Sequence, residues 1–187
     1  MLGMLPIGGI QSTSQSTAQA VTTAAAQLVI TGGVETAGTR TREGDPAVKP
    51  DTANNRIVVN APGIYKATVS ISGAAASALQ NTYQLRKNGS SGSAITGTRA
   101  KQVYGTTPSQ VSWSSMFEIT AADLPAAGGT ATFSDPDSSA GAGKPAGGFA
   151  GAGAAPKTGV PIDILVTGDG SVNFTPTDIQ FIIERVG

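Results

Sequence analysis

The 187-residue chain contains no cysteine and no histidine. Without cysteine there can be no disulfide, no thiolate metal ligand and no cysteine nucleophile. Without histidine the chain lacks the side chain most used for acid–base work near neutral pH, which is also the commonest metal ligand. Charge is scarce too: Asp, Glu, Lys and Arg make up 13% of residues, against roughly 25% in an average domain. Twelve basic residues balance twelve acidic ones, so there is no basic field to hold nucleic acid. A net charge of zero also removes the repulsion that keeps free monomers apart, which points to a protein that ends in an assembly. No apolar run approaches the roughly 18 residues a membrane span needs, so no membrane partner is expected. Met1 to Ile10 is apolar, but no positive residue precedes it as in a signal peptide. It reads as the tip of an N-terminal arm over residues 1–26, tethered by the Gln-, Ser-, Thr- and Ala-rich residues 11–26. A short helix over Ala18 to Ala26 is an alternative for part of the arm, weakened by its threonines.

What the chain does have is alternation. Asn55 to Gly89 holds three strand-like runs separated by turn residues. Arg56 to Asn60 is β-branched and is stopped by Ala61-Pro62-Gly63. From Ile64 to Gly73, Tyr65, Ala67, Val69 and Ile71 point one way and Lys66, Thr68, Ser70 and Ser72 the other, the period of a strand with one wet face. Thr82 to Lys87 separates Tyr83 and Leu85 from Gln84 and Arg86, and Asn88-Gly89 carries a hairpin signal. Further along, Val111, Trp113, Ser115, Phe117 and Ile119 share a face. Val160 to Val166 and Asp178 to Val186 are the last strands, with Gly168-Asp169-Gly170 turning between them. Gln27 to Thr31 and Gly129 to Phe133 are shorter strands, and Ser93 to Tyr104 is a weak one. Gly32 to Asn55 reads as a long exposed loop. Ser134 to Thr158, rich in Gly, Ala and Pro, reads as an insertion with too little apolar surface to order itself. Glycine does not recur at every third position, which excludes collagen. About nine strands without helix–strand alternation predict an all-β antiparallel sandwich, residues 27–187, after the N-terminal arm. Immunoglobulin-like packing is the fold alternative, but its cysteine–tryptophan–cysteine core is missing.

Few residue patterns carry chemistry. Asp135, Asp137 and Ser138, and separately Asp169-Gly170, are fragments of a calcium loop without its full spacing, and read as turn chemistry. The runs Gly147-Gly148 and Gly151-Ala152-Gly153 lack the Lys-Ser/Thr end of a phosphate loop. Serines have no histidine base and no Ser-x-x-Lys motif. Two carboxylates could make a glycosidase only if the fold brought them together. No metal, no cofactor and no enzymatic activity are therefore expected. The basic spots Thr39-Arg40-Thr41-Arg42 and Arg99-Ala100-Lys101 suit a solvated face or an acidic partner surface. Trp113, Tyr65 and Tyr83 read first as core.

Pro62-Gly63-Ile64-Tyr65 after a β-branched run, with the Leu85-Arg86-Lys87-Asn88-Gly89 strand end, resembles the complement globular-head and tumour-necrosis-factor family of jelly rolls. It is similar to the forms found in bacteriophage virion proteins. The resemblance implies a two-sheet jelly roll assembled as a homotrimer. It implies a capsid decoration, or cement, protein on the outer surface of the virion, binding the major capsid protein. Leu2, Leu5, Ile7, Arg40, Arg42, Tyr65, Tyr83, Phe181 and Ile182 are the expected subunit or capsid contacts. A receptor-binding tip of a tail fibre, reading a cell-surface glycan or protein through its loops, is the alternative; a secreted matrix protein is a weaker one.

Overall fold

The computed structural model describes residues 7–37, 48–88, 92–124 and 159–186. Among these described residues, twelve strands form two six-stranded sheets, and every pairing is antiparallel. The first sheet runs β10 (Ser109–Ile119), β7 (Gly63–Ala75), β12 (Val172–Arg185), β1 (Ile7–Ser12), β4 (Val34–Ala37), with β2 (Gln19–Val21) also on β12. The second runs β5 (Val48–Asp51), β6 (Arg56–Val59), β11 (Val160–Gly168), β8 (Leu79–Lys87), β9 (Ala100–Tyr104), with β3 (Ala26–Gln27) on β11.

The alternation seen in the sequence sets which side chains enter the core. Tyr65, Ala67, Val69 and Ile71 of β7 are fully buried, as are Tyr83 and Leu85 of β8 and Phe181 and Ile183 of β12. Each large apolar side chain removed from water contributes about 1.5–3 kcal/mol before entropy is counted. Aromatic contacts join the two layers: Tyr83 stacks on Trp113 with ring centroids 5.9 Å apart, and Tyr104 meets Phe174 at 4.6 Å.

One strand changes parity. On β12 the buried residues are Phe174 and Pro176, then Ile179, Phe181 and Ile183. The switch from even to odd follows a bulge: Pro176 pairs with Gly73 while Asp178 pairs with Ser72, which leaves Thr177 as the extra residue. Proline is tolerated there because a bulge does not need its missing N–H. The last strand, expected from Asp178, thus already includes Phe174, Thr175 and Pro176.

Several segments differ from the sequence reading. Residues 7–12, expected in the arm, form β1, held between β12 and β4. The Gly8-Gly9 pair assists the strand: a Cβ on Gly8 would stand 3.0 Å from Val48 Cγ1 and 3.2 Å from Pro50 Cδ. β5 can therefore lie close against β1. In place of a helix over Ala18 to Ala26 there are β2 and β3. The Gln19 side chain ties this region together, donating to the Gln27 carbonyl and accepting the Val29 N–H. The two ends of the Gly32 to Asn55 loop are strands β4 and β5, with Val48 and Asp51 buried. Leu28 and Ile30 are buried and Val29 is exposed, as alternation predicts. The last backbone bond to β11 is nevertheless the one from the Leu28 N–H to the Ile164 carbonyl, 2.7 Å. Beyond it, the N–H groups of Ile30 and Thr31 are taken by the side chains of Asn55 and Gln15. The Gly129 to Phe133 strand and the Ser134 to Thr158 insertion lie outside the described residues.

Candidate assembly surface

The outer face of the first sheet carries the surface with the most to offer a partner. In an antiparallel sheet, directly opposed residues share a face. The pairings Met116↔Lys66, Lys66↔Glu184 and Glu184↔Ile7 therefore make one row across four strands. The next row toward the sheet end holds Glu118 and Ile64, and the Val186 N–H donates to the Ile64 carbonyl there. On the other side lies the row Ser114, Thr68, Ile182, Gly9. Four apolar side chains stand open at this end: Met116 61%, Ile64 45%, Ile7 39% and Val186 38% exposed. Ile182 beside them is half-buried. The Lys66–Glu184 ion pair, 3.1 Å, crosses the patch and cancels its own charge.

The rest of the face is small and polar. Ser112, Ser70, Gln180 and Gln11 form one row and Gln110, Ser72 and Asp178 the next. Gln110 Nε2 donates to Ser70 Oγ at 2.6 Å, and Ser112 Oγ lies 3.0 Å from Ser70 Oγ. A shallow depression of about 300 Å³ opens among Gln11, Ser70, Ser72, Gln110 and Gln180. Short hydroxyl and amide side chains make this half flat and rich in donors and acceptors. Such a surface suits another protein face better than a buried small ligand.

Of the expected contact residues, Ile7 and Ile182 belong to this face. Tyr65, Tyr83 and Phe181 are fully buried within the chain's own core and present no surface to a neighbour. Tyr65 donates its hydroxyl to the Ala61 carbonyl at 2.7 Å; burial raises its pKa, opposed by Arg185. Tyr83 receives the Asn81 amide at 3.0 Å and donates to Tyr104 at 3.1 Å. Burial pushes the Tyr104 hydroxyl up to about 12 and that of Tyr83 still further. Leu2, Leu5, Arg40 and Arg42 lie outside the described residues, as do Thr39, Thr41, Asp135, Asp137, Ser138 and the glycine runs at 147–148 and 151–153. Arg99 and Lys101 are exposed beside and on β9. Asp169 does turn work: its Oδ1 accepts the Gln80 N–H at 3.0 Å, while its own N–H donates to the Gln80 carbonyl.

Sequence reasoning missed two features. One is the buried pair of Arg86 and Asp163, opposed on β8 and β11. Its signal was a lone acid inside the apolar run Val160 to Val166. The other is Asp123, which accepts from Lys87 Nζ at 2.5 Å and from the Thr120 N–H at 2.9 Å. The lysine first, then the Thr120 amide, hold its carboxyl below the usual range.

No protein-family model and no curated protein sequence matches the chain. Solved structures do match its shape. Eiger, a tumour necrosis factor from S. frugiperda, superposes with a TM-score of 0.57 at 8% identity, covering 98% of this chain and 94% of that one. Murine APRIL superposes at 0.50 with 6% identity, covering 97% and 99%. The atomic structure of Broad Bean Stain Virus superposes at only 0.28 with 10% identity, too remote to bear on the fold. The shared strand arrangement, two antiparallel sheets closed over one core, makes this chain a jelly-roll sandwich of the tumour-necrosis-factor type.

Proposed function

We propose that the protein is a structural virion component: a homotrimeric decoration protein that binds the major capsid protein on the outside of a phage head. The observation that carries this reading is the outer face of the first sheet on a tumour-necrosis-factor-type jelly roll, apolar at one end and rich in Ser and Gln over the rest, with the Lys66–Glu184 pair, Glu118 and Asp178 as its charges. A face of this kind is unstable in water alone and gains by meeting a copy of itself. The phage-type resemblance of Pro62-Gly63-Ile64-Tyr65 and Leu85 to Gly89 supports the virion setting. The function is binding without catalysis, in keeping with a chain that has neither histidine nor cysteine.

The test is sedimentation of the purified protein at micromolar concentration, followed by incubation with phage heads stripped of accessory proteins. A trimer that rebinds the heads at a fixed ratio to the major capsid protein is the expected result. A monomer that leaves the heads bare would overturn the reading.

A further inference from the structure

The first sheet ends on β10 and β4, the second on β5 and β9. Sheets blunt such edges with short strands, lysine, proline or bulges, because unpaired backbone groups invite another strand. β4 and β5 have four residues each, and β5 includes Lys49 and Pro50. β9 has five, with Lys101 among them. β10 has none of these guards. It runs for 11 residues without proline or a basic side chain. It pairs with β7 in one unbroken register, from Ser109↔Gly73 to Ile119↔Gly63. Among the described residues no strand lies on its other side.

Hydrogen bonds fix which backbone groups this edge presents. The Val186 N–H donates to the Ile64 carbonyl and the Ala76 N–H to the Asn173 carbonyl. Even-numbered residues of β7 therefore turn their backbone groups toward β12. Odd-numbered ones turn toward β10, where they meet Val111, Trp113, Ser115 and Phe117. The N–H and C=O groups of Gln110, Ser112, Ser114, Met116 and Glu118 consequently point away from the sheet. All five side chains are exposed.

We propose that β10 pairs antiparallel with β10 of a second copy, about a two-fold axis at Ser114. Ser114 then faces its own counterpart, Ser112 faces Met116 and Gln110 faces Glu118. This register engages every outward residue of both strands, for about ten backbone hydrogen bonds, and sliding by two residues forfeits about two of them. Its side chains agree as well. The Gln110 amide donates to the second copy's Glu118 carboxylate, and the same match recurs at the other end. The two Glu118 carboxylates stand about 27 Å apart along the strands, so they do not repel. On the core side Trp113, half-buried at the rim, comes opposite the second copy's Ser115 and gains cover. The match at both ends selects a copy of this chain over an unrelated strand. The contact is distinct from the outer face and does not rest on the capsid reading.

Because the chain has no cysteine, engineered thiols read the register in the full-length protein. Ser114→Cys is expected to form an interchain disulfide under mild oxidation. Ser112→Cys alone is expected to link more slowly, by on the order of tenfold, because its two copies lie about 13 Å apart along the strands and a disulfide needs Cα atoms within about 7 Å. Mixing Ser112→Cys with Met116→Cys protein should restore the link. Equal linking of Ser112→Cys and Ser114→Cys, or none at Ser114, would overturn the proposal.

Ser114→Pro removes an N–H that the chain's own sheet leaves unused, and an edge strand tolerates proline there. It is expected to abolish the two-fold association step in sedimentation, together with the accompanying change in fluorescence of Trp113, the single tryptophan. Unchanged association would count against the contact. So would a Ser114 amide equally protected from hydrogen exchange at nanomolar and micromolar concentration, since a segment of the same chain would then occupy the edge. Protection that required a different protein would overturn it too. Linking at Ser114 in a protein indifferent to phage heads would sink the decoration reading alone. Head binding without that link would sink the two-fold contact alone.

Discussion

Arg86 and Asp163 face each other across β8 and β11 as a two-pronged ion pair, Nε to Oδ1 at 2.9 Å and Nη2 to Oδ2 at 2.5 Å. Asp163 is 1% exposed and Arg86 9%. Removing one partner leaves a buried charge uncompensated. Asp163→Asn is expected to lower stability by about 3–5 kcal/mol in urea unfolding. Arg86→Met together with Asp163→Leu is expected to recover most of that loss, because no charge is then left buried. A double variant as weak as the single one would show that the pair stabilises the fold by more than charge balance.

Gly73 lies where β7 passes under Phe174. A Cβ there would stand 2.6 Å from the Phe174 ring and 2.6 Å from the Thr175 carbonyl oxygen. Gly73→Ala is expected to destabilise by about 1–3 kcal/mol through overpacking against backbone that cannot move aside. Gly105→Ala, with open space around it, serves as the control and is expected to leave the melting temperature nearly unchanged.

Alkaline pH should loosen the core through its tyrosines. The folded-state pKa of Tyr104 is raised from 10.0 to about 12 by burial, and that of Tyr83 is raised too. Stability from a raised pKa is complete below the unfolded value and is lost as pH climbs through the folded one. The melting temperature is therefore expected to hold up to about pH 9.5 and to fall above about pH 10. Tyr104→Phe should flatten that fall, and a wild-type curve level to pH 11.5 would refute the account.

Asp123 works at the other end of the scale. Its folded-state pKa is lowered from 3.8, so its contribution is present above that value and is lost as pH drops through the folded pKa. Asp123→Asn is expected to melt earlier than the parent at neutral pH, with the gap closing below about pH 4. A gap that persists unchanged at pH 2 would assign the effect to packing instead.

The flat half of the outer face can be tested without touching the core. Ser70→Arg places a charge in the middle of the Ser112, Ser70, Gln180 row. Because surface substitutions shift stability by only about 0.5 kcal/mol, the melting behaviour of the monomer should survive. Self-association should weaken by tenfold or more, on the order of the cost of burying an unpaired charge. Unaltered sedimentation would move the copy contact to another surface.

Much of the fold was legible because long regular strands declare their two faces. β7, β8 and β10 alternate over several residues, and Tyr65, Ala67, Val69, Ile71, Tyr83, Leu85, Val111, Phe117 and Ile119, read as one face of their strands, are buried. β1 was hidden because Gly8 and Gly9 carry no side chain to show a period, so Ile7-Gly8-Gly9-Ile10 looked like arm. β4 and β5 were hidden by brevity, and a Val-Lys-Pro-Asp strand shows little pattern in four residues. The bonds from the Ile30 and Thr31 N–H groups to the side chains of Asn55 and Gln15 could not be foreseen, since they join residues far apart in sequence. Of the residues expected as contacts, Ile7 and Ile182 lie on the outer face, whereas Tyr65, Tyr83 and Phe181 are buried, as the same alternation marked them. Met116 and Ile64 were passed over. An exposed apolar side chain is visible as such only when both its strand and that strand's neighbours are known.

Because β1 is clasped by β12, Ile7 must find Glu184 from nearly the whole length of the chain. A nascent polypeptide emerging N-terminus first would carry β1 with only the short β4 beside it until β12 had been synthesised. Closure of the first sheet should accordingly be a late, slow event, on the millisecond-to-second scale of sandwiches rich in distant contacts. Until then the edges of β7 and β1 are open to mispairing with other chains, so yield in the cell should depend on chaperones and on low expression temperature.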